Sequence, residues 1–314
     1  MNYRNHTTIT EFILAGLSED PELQPFLFAV FFSIYVITVS GNICIILAYN
    51  LSSNLHNPMY FILANFAFVE ICYVSVISPK MLEMFLADRK TISFYCCAFQ
   101  LYCTFLFGTT ECIILAVMSY DRYNAICRPL LYNTIMNKIN CTQFIAGSWF
   151  MASVNAFLQT VFTFTLPFCD DNMINSFFCD IPPLLKLACA DTWVSELVTY
   201  FVGGSLGVGP CILIMVSYIQ IILTVLTIHS SSGRKKAFST CTSHFLVVII
   251  FYGSIFFVYL TPQSSESVYQ NRLTSVMYTI IAPLLNPFIY SLRNKDVKIA
   301  ILKIINQNVA CQRK

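Results

Sequence analysis

Long apolar runs separated by short polar connectors recur along the whole chain. Seven are long enough to cross a membrane, which takes roughly 20 apolar residues at about 1.5 Å of rise each. They run near Pro25–Tyr49, Pro58–Phe85, Tyr95–Ile126, Cys141–Phe164, Val194–Ile228, Ala237–Leu260 and Arg272–Leu292. Several contain Pro or Gly, which membrane helices tolerate better than soluble ones. The fifth has the softest edges, because Gly203, Gly204, Gly207, Gly209 and Pro210 interrupt it. The pattern predicts an all-α membrane protein: a seven-transmembrane helix bundle forming one domain over 1–314. After Leu292, the stretch Asn294–Gln307 reads as a short C-terminal amphipathic helix. Val297, Ile301 and Ile304 (with Ile305) make its apolar stripe, and Lys298 and Lys303 suit lipid headgroups.

Composition narrows the class in the same direction. Of the 314 residues 57% are hydrophobic and 11% charged, against about 25% charged in a soluble protein. That polar surface is too small to cover a globule in water. A cytosolic enzyme, a nucleic-acid binder and a disordered chain are all disfavoured, and the net charge of +2 leaves no basic stripe for nucleic acid. Nothing in the chain forms a catalytic triad, a metal cluster or a phosphate loop, so it reads as no enzyme.

The charges that remain are sorted by side. Segments 121–140, 229–236 and 293–314 hold twelve of the eighteen Lys and Arg, with only Asp121 and Asp296 as acids. Twelve of the sixteen acids fall on the opposite side. The positive-inside rule then places 1–24 outside, 25–292 in the membrane and 293–314 in the cytoplasm, on a multi-pass plasma-membrane protein. The first 24 residues lack the basic-then-apolar build of a signal peptide, so the first span is expected to serve as the insertion signal. Asn5-His6-Thr7 is then an extracellular glycosylation sequon, whereas Asn50 and Asn140 should stay bare.

Of 14 cysteines, most lie within spans, where Cys behaves as a small hydrophobe. Cys96 and Cys97 at the start of span three, and Cys169, Cys179 and Cys189 in the loop before span five, face an oxidising compartment where disulfides are expected. Spacing alone leaves their connectivity open. Two acids, Glu70 and Glu111, lie inside the hydrocarbon. Counted from Pro58 and Arg122 at about 1.5 Å per residue they reach nearly equal depths, roughly 18 and 17 Å. An ionised acid there costs about 2.5–3.5 kcal/mol or more, so each needs partners or a proton. Asn42 and Asn286 are near enough in depth to join them in a polar belt. Either one acid is protonated and bonds the other, or the pair holds a sodium ion.

Motifs at fixed places then become recognisable. Met118-Ser119-Tyr120-Asp121-Arg122-Tyr123 closes span three, and Pro283-Leu284-Leu285-Asn286-Pro287-Phe288-Ile289-Tyr290 closes span seven. With seven spans, the chain resembles the rhodopsin-like G-protein-coupled receptors. Leu55-His56-Asn57-Pro58-Met59-Tyr60-Phe61, Ser217-Tyr218 and Lys236-Ala237-Phe238-Ser239-Thr240-Cys241-Thr242-Ser243-His244 narrow it: in this order they resemble the vertebrate odorant receptors. Asn5-His6-Thr7-Thr8 followed by Glu11-Phe12-Ile13-Leu14 is similar too. Three positions depart from the family pattern: Asn124 stands where an aliphatic residue is usual, Leu131 replaces a usual His, and Glu70 replaces the commoner Asp. The first two touch the face expected to meet a G protein.

The resemblance implies disulfides Cys97–Cys179 and Cys169–Cys189, and it selects Cys97 over Cys96. It implies a switch in which Asp121 holds Arg122 at rest, with Tyr123, Tyr218, Asn286, Pro287 and Tyr290 taking part. Arg234-Lys235-Lys236 would open span six beside it. The ligand would lie between the outer halves of spans three, five, six and seven. Candidate contacts are Thr104, Phe105, Gly108, Thr109 and Cys112 on span three, with Leu101 on the same face; Gly203 and Leu206 on span five; Tyr252, Ile255, Phe256 and Tyr259 on span six; and Met277 on span seven. Apolar walls with a few hydroxyls fit a small, mostly neutral organic molecule. No Asp on the outer half of span three invites an amine, and no Lys in span seven could form a retinal Schiff base. The implied function is an odorant receptor acting through the stimulatory olfactory G protein to raise cyclic AMP, with no cofactor beyond a candidate sodium ion at Glu70 and Glu111. The alternatives are a small transporter or channel relaying ions through those two acids, and a chemosensory receptor outside the nose.

Overall fold

The apolar runs fold into long helices packed side by side, with loops gathered at the two ends. The computed structural model describes residues 9–18, 20–169, 172–227, 230–260, 272–293, 297–300 and 302; for 231–233, 235–241, 243, 258–260 and 291–293 it describes the backbone. Among these the seven long helices are α1 (Gln24–Leu51), α2 (Pro58–Leu86), α3 (Phe94–Cys127), α4 (Lys138–Phe164), α5 (Trp193–Thr227), α6 (Ser231–Leu260) and α7 (Arg272–Tyr290, its last turn reaching Arg293). Six are long and apolar enough to cross a membrane, and α6 contributes an apolar stretch over His244–Phe257. Beyond α7, 297–300 and 302 are again helical, with Val297 and Ala300 turned inward. Asn5, Ile301, Ile304 and the side chains of Lys235, Lys236 and Tyr259 lie outside what is described.

Local chemistry sets the helix ends. The Asn57 side chain accepts from the backbone N–H of Tyr60 at the start of α2, where Pro58 supplies a preset φ and needs no partner for a missing N–H. Ser93 caps α3 through the Cys96 N–H, and Asn137 caps α4 through the Asn140 N–H. The interruptions read in span five are absorbed rather than fatal. A π-turn at Thr199–Gly203 interrupts α5 after its first six residues, and Pro210 sits inside the helix that continues to Thr227. A second π-turn, Met277–Ile281, interrupts α7.

The all-α expectation omits a small sheet at one end of the bundle. β1 (Glu11–Leu14) runs between β2 (Thr91–Ser93), antiparallel, and β3 (Met173–Ile174), parallel. Alternation does the work: Phe12 and Leu14 are buried while Glu11 and Ile13 face out. Gly16 then turns the chain with φ +70°, a backbone region that favours glycine. Lys90 donates to the Ser18 carbonyl and Arg272 to that of Gly16, tying the segment to the loop after α2 and to the start of α7. Two apolar clusters fill the bundle. One lies beneath the sheet around Phe12, Phe177, Phe178 and Leu101, and the other runs toward the opposite end around Ile62, Phe66, Ile114 and Leu115. Exposed apolar side chains such as Phe26, Ile212 and Leu213 cover the outside, as lipid contact requires.

Candidate functional site

Two disulfides fix the loop that covers the sheet end. Cys97 at the start of α3 joins Cys179, and Cys169 joins Cys189. Gln100 adds a clamp the sequence did not signal: its Oε1 accepts from the Cys179 N–H at 3.0 Å and its Nε2 donates to the Val76 carbonyl at 3.1 Å. Next to Cys179, Asp180 caps the short helix Ile181–Leu185 by accepting from the Ile181 N–H. Burial raises its carboxyl from the ordinary 3.8 to about 6, partly opposed by that N–H.

At the opposite end, Arg122 Nη2 stands 2.7 Å from Asp121 Oδ2. The other oxygen of Asp121 accepts from the Tyr132 hydroxyl at 2.8 Å, so the carboxylate is shared between guanidinium and phenol. Burial, with Asp121 beside it, pushes the Tyr132 phenol above its ordinary range. Tyr132 lies on a one-turn helix, Tyr132–Ile135, in the loop after α3, and an aromatic in a polar loop gave no advance sign of this contact. Tyr218 and His244 share a hydrogen bond of 2.6 Å between α5 and α6. Tyr290 is buried with its ring edge-on to Phe66, and its hydroxyl has no hydrogen-bond partner among the described residues. Pro287 packs so tightly on α1 that a Cβ on Gly41 would fall 2.8 Å from its Cβ. Asn124, the departure beside Arg122, is fully buried: its amide donates to the Tyr120 carbonyl and its oxygen has no partner among the described residues.

Mid-bundle, Glu70 and Glu111 are both buried and within electrostatic reach of one another. Asn286 donates to Glu70 Oε1, joining α7 to α2. Asn42 gives an amide N–H to the Thr38 carbonyl within α1 and also lies against the Glu70 carboxyl. Among the described residues Glu70 Oε2 and Glu111 Oε1 have no hydrogen-bond partner. Two orphaned carboxylate oxygens beside an amide are hard oxygen donors of the kind a small cation takes. Among the described residues no group of three or more His, Cys, Asp or Glu stands together.

The ligand-contact candidates divide. Cys112 on α3 and Tyr252 on α6 face one another, with Ile255 and Phe256 packed against the same cluster. Phe105 joins the cluster beneath the sheet, to which Ile255 also reaches. The Thr104 hydroxyl is buried without a hydrogen-bond partner among the described residues, and the buried Tyr252 hydroxyl lies against the Cys112 thiol. Gly108 is partly buried, and a Cβ there would make ordinary contact with Tyr73 of α2. Thr109 accepts from Asn155 of α4 at 2.9 Å. Three candidates sit differently from the sequence expectation. Met277 is 42% exposed, because the π-turn beginning there changes the register and turns Tyr278, Thr279 and Ile280 inward instead. The space beside Gly203 belongs to the Gln159 amide, 2.8 Å from where its Cβ would be. Leu206 lines a cavity of about 590 Å³ between α3, α4 and α5, whose rim includes the exposed Ile212 and Leu213. Asn155 and Gln159 were missed; amides one turn apart in an apolar span were the available signal.

The fold has a solved counterpart: squid rhodopsin superposes with a TM-score of 0.69 at 17% identity, covering 93% of this chain and 88% of that one. This defines the class by architecture, a seven-helix bundle with the fold of rhodopsin. The family model for olfactory receptors matches residues 31–308. Olfactory receptor 5P76 of Mus musculus is 48% identical over 304 residues, covering 97% of both chains. Olfactory receptor 5G3 of Homo sapiens is 47% identical over 307 residues, 98% of each. Olfactory receptor 8U9 of Homo sapiens is 48% identical over 309 residues, 98% of this chain and 100% of that one. The chain therefore belongs to the olfactory receptor family: a multi-pass membrane protein that is a receptor for odorants, partnered by a G protein, and not an enzyme.

Proposed function

We propose that this receptor lies in the plasma membrane as one domain, with 1–24 and the sheet end outside and 293–314 in the cytoplasm. A small, mostly apolar odorant binds inside the outer half of the bundle against Phe105, Thr109, Cys112, Tyr252, Ile255 and Phe256. Binding favours an arrangement in which Arg122 leaves Asp121 and meets the stimulatory olfactory G protein, raising cyclic AMP. The observation that carries this reading is the carboxylate of Asp121, held between Arg122 and Tyr132 at the cytoplasmic end of α3. That arrangement describes a resting latch whose release frees a cation. Tyr218, Asn286, Pro287 and Tyr290 link the same end to α5 and α7. Glu70 and Glu111 would hold sodium in the resting state, which supplies the positive charge two buried acids otherwise lack. Asn5 is the expected glycosylation site.

The deciding experiment is expression with a cyclic-AMP reporter and a panel of odorants, with surface receptor quantified in parallel. A response in the parent chain that Arg122→Ala abolishes at unchanged surface level is the expected result. A response that survives this substitution overturns the latch. Sensitivity of resting activity to external sodium, lost in Glu70→Gln and Glu111→Gln, separates an ion site from a purely hydrogen-bonded belt.

A further inference from the structure

Helix α4 carries two amides one turn apart, Asn155 and Gln159, each 1% exposed in an otherwise apolar span. They form a chain across three helices. Asn155 Nδ2 donates to Thr109 Oγ1 of α3 at 2.9 Å, and Gln159 Nε2 donates to Asn155 Oδ1 at 3.3 Å. At the far end the Thr199 hydroxyl lies 2.9 Å from Gln159 Oε1 and 2.8 Å from the Ser195 carbonyl, at the first residue of the π-turn in α5. Gly203 completes the arrangement, since any side chain there would collide with the Gln159 amide.

The balance of donors and acceptors at Thr109 has a direction. A helical threonine ordinarily gives its hydroxyl hydrogen to the carbonyl four residues back. Thr110 does so, to Leu106 at 2.7 Å. The Thr109 oxygen instead accepts from Asn155, and its hydrogen reaches no acceptor among the described residues. An incoming N–H bond polarises the O–H, so this hydroxyl is a prepared donor in a dry setting.

We propose that Asn155 and Gln159 are positioning residues that hold Thr109 as a free donor toward the ligand, selecting odorants with an acceptor oxygen on an apolar body, such as ketones and esters. Gly203 serves by leaving the Gln159 amide its place. This rests on the reading of the Phe105–Thr109–Cys112 face of α3 as the odorant contact. One such hydrogen bond is worth about tenfold in potency, because a molecule lacking the oxygen leaves the donor unpaired.

The test uses the full-length receptor in the cyclic-AMP assay with medium-chain aliphatic ketones and methyl esters, each paired with the alkene of equal length. The parent chain should prefer the oxygenated partner by about tenfold. Thr109→Val should erase that preference while Thr109→Ser keeps it, at equal surface levels. Asn155→Leu should erase it too and add nothing in the Thr109→Val background, and Gly203→Ala should lose its effect once Gln159→Ala is present. Preference retained in Thr109→Val, additive losses in the double variants, or responses without preference overturn the proposal. If either Leu or Ala variants fail to reach the surface, the Val and Ser comparison at Thr109 decides. Silence of the parent chain to the whole panel overturns the odorant contact itself, and this proposal with it.

Discussion

Asp180 illustrates how far a single side chain departs from its sequence neighbourhood. In the sequence it is one of many acids on the outer side; in the fold it is 9% exposed between Cys179 and Ile181, and it acts electrostatically on Tyr278 of α7. Its carboxyl holds a proton up to about pH 6 when folded, against 3.8 ordinarily. The folded state therefore binds more protons than the unfolded one between those values, and stability falls as pH rises through that window. Below 3.8 the benefit is complete, and above about 6 it is gone. Asp180→Asn keeps an oxygen for the Ile181 N–H while removing the titration. The thermal stability of the detergent-solubilised receptor should then lose the part of its pH dependence lying in that window. Residue identity was legible here; burial was not, because it depends on a disulfide partner 82 positions away.

At the scale of elements, the seven helices were readable because each must satisfy its own backbone in lipid, which leaves long uninterrupted apolar runs as the signature. The fifth span read as Val194–Ile228 is found at Trp193–Thr227. What the runs did not carry is register. The π-turns at Thr199–Gly203 and Met277–Ile281 each shift the following residues around the helix, and hydropathy does not change with such a shift. Met277 stands exposed at the head of the second turn, while Tyr278, Thr279 and Ile280 within it are buried. Close approach between helices is equally silent in hydropathy, and α1 against α7 is the clearest case. Gly41→Val should overpack the contact with Pro287, costing about 1–3 kcal/mol. Thermal inactivation and surface yield would register that loss, while Gly147→Val, with nothing within 4 Å of its Cβ, should change little.

For the whole molecule, the bundle was evident from the chain and its closure at one end was not. A four-residue strand in a polar leader gives a weak signal, and its partners Thr91–Ser93 and Met173–Ile174 are loop segments far along the chain. The candidate switch and the two buried acids were legible because charge is scarce in this sequence and each remaining one stands out. The Asn155–Gln159 chain was not, because uncharged amides do not. Phe12, wholly buried beneath the sheet against Phe94 and Phe168, anchors the closure. Phe12→Ala should destabilise it by about 3–5 kcal/mol, seen as faster hydrogen exchange across 9–18 and lower surface yield. Ile13→Ala, on the outward face, should have little effect.

The central place of β1 also imposes a timetable on biogenesis. The segment that leaves the ribosome early pairs on one side with Thr91–Ser93 and on the other with Met173–Ile174. Until the four helices that precede Met173 have been made, Leu14 has no Ile174 to lie beside, and β1 can pair only with Thr91–Ser93. Contacts so distant in sequence form slowly. The central strand of the sheet is thus made before both of its partners and is among the last parts seated, and a cell that hurries its export would release molecules with an unfinished roof.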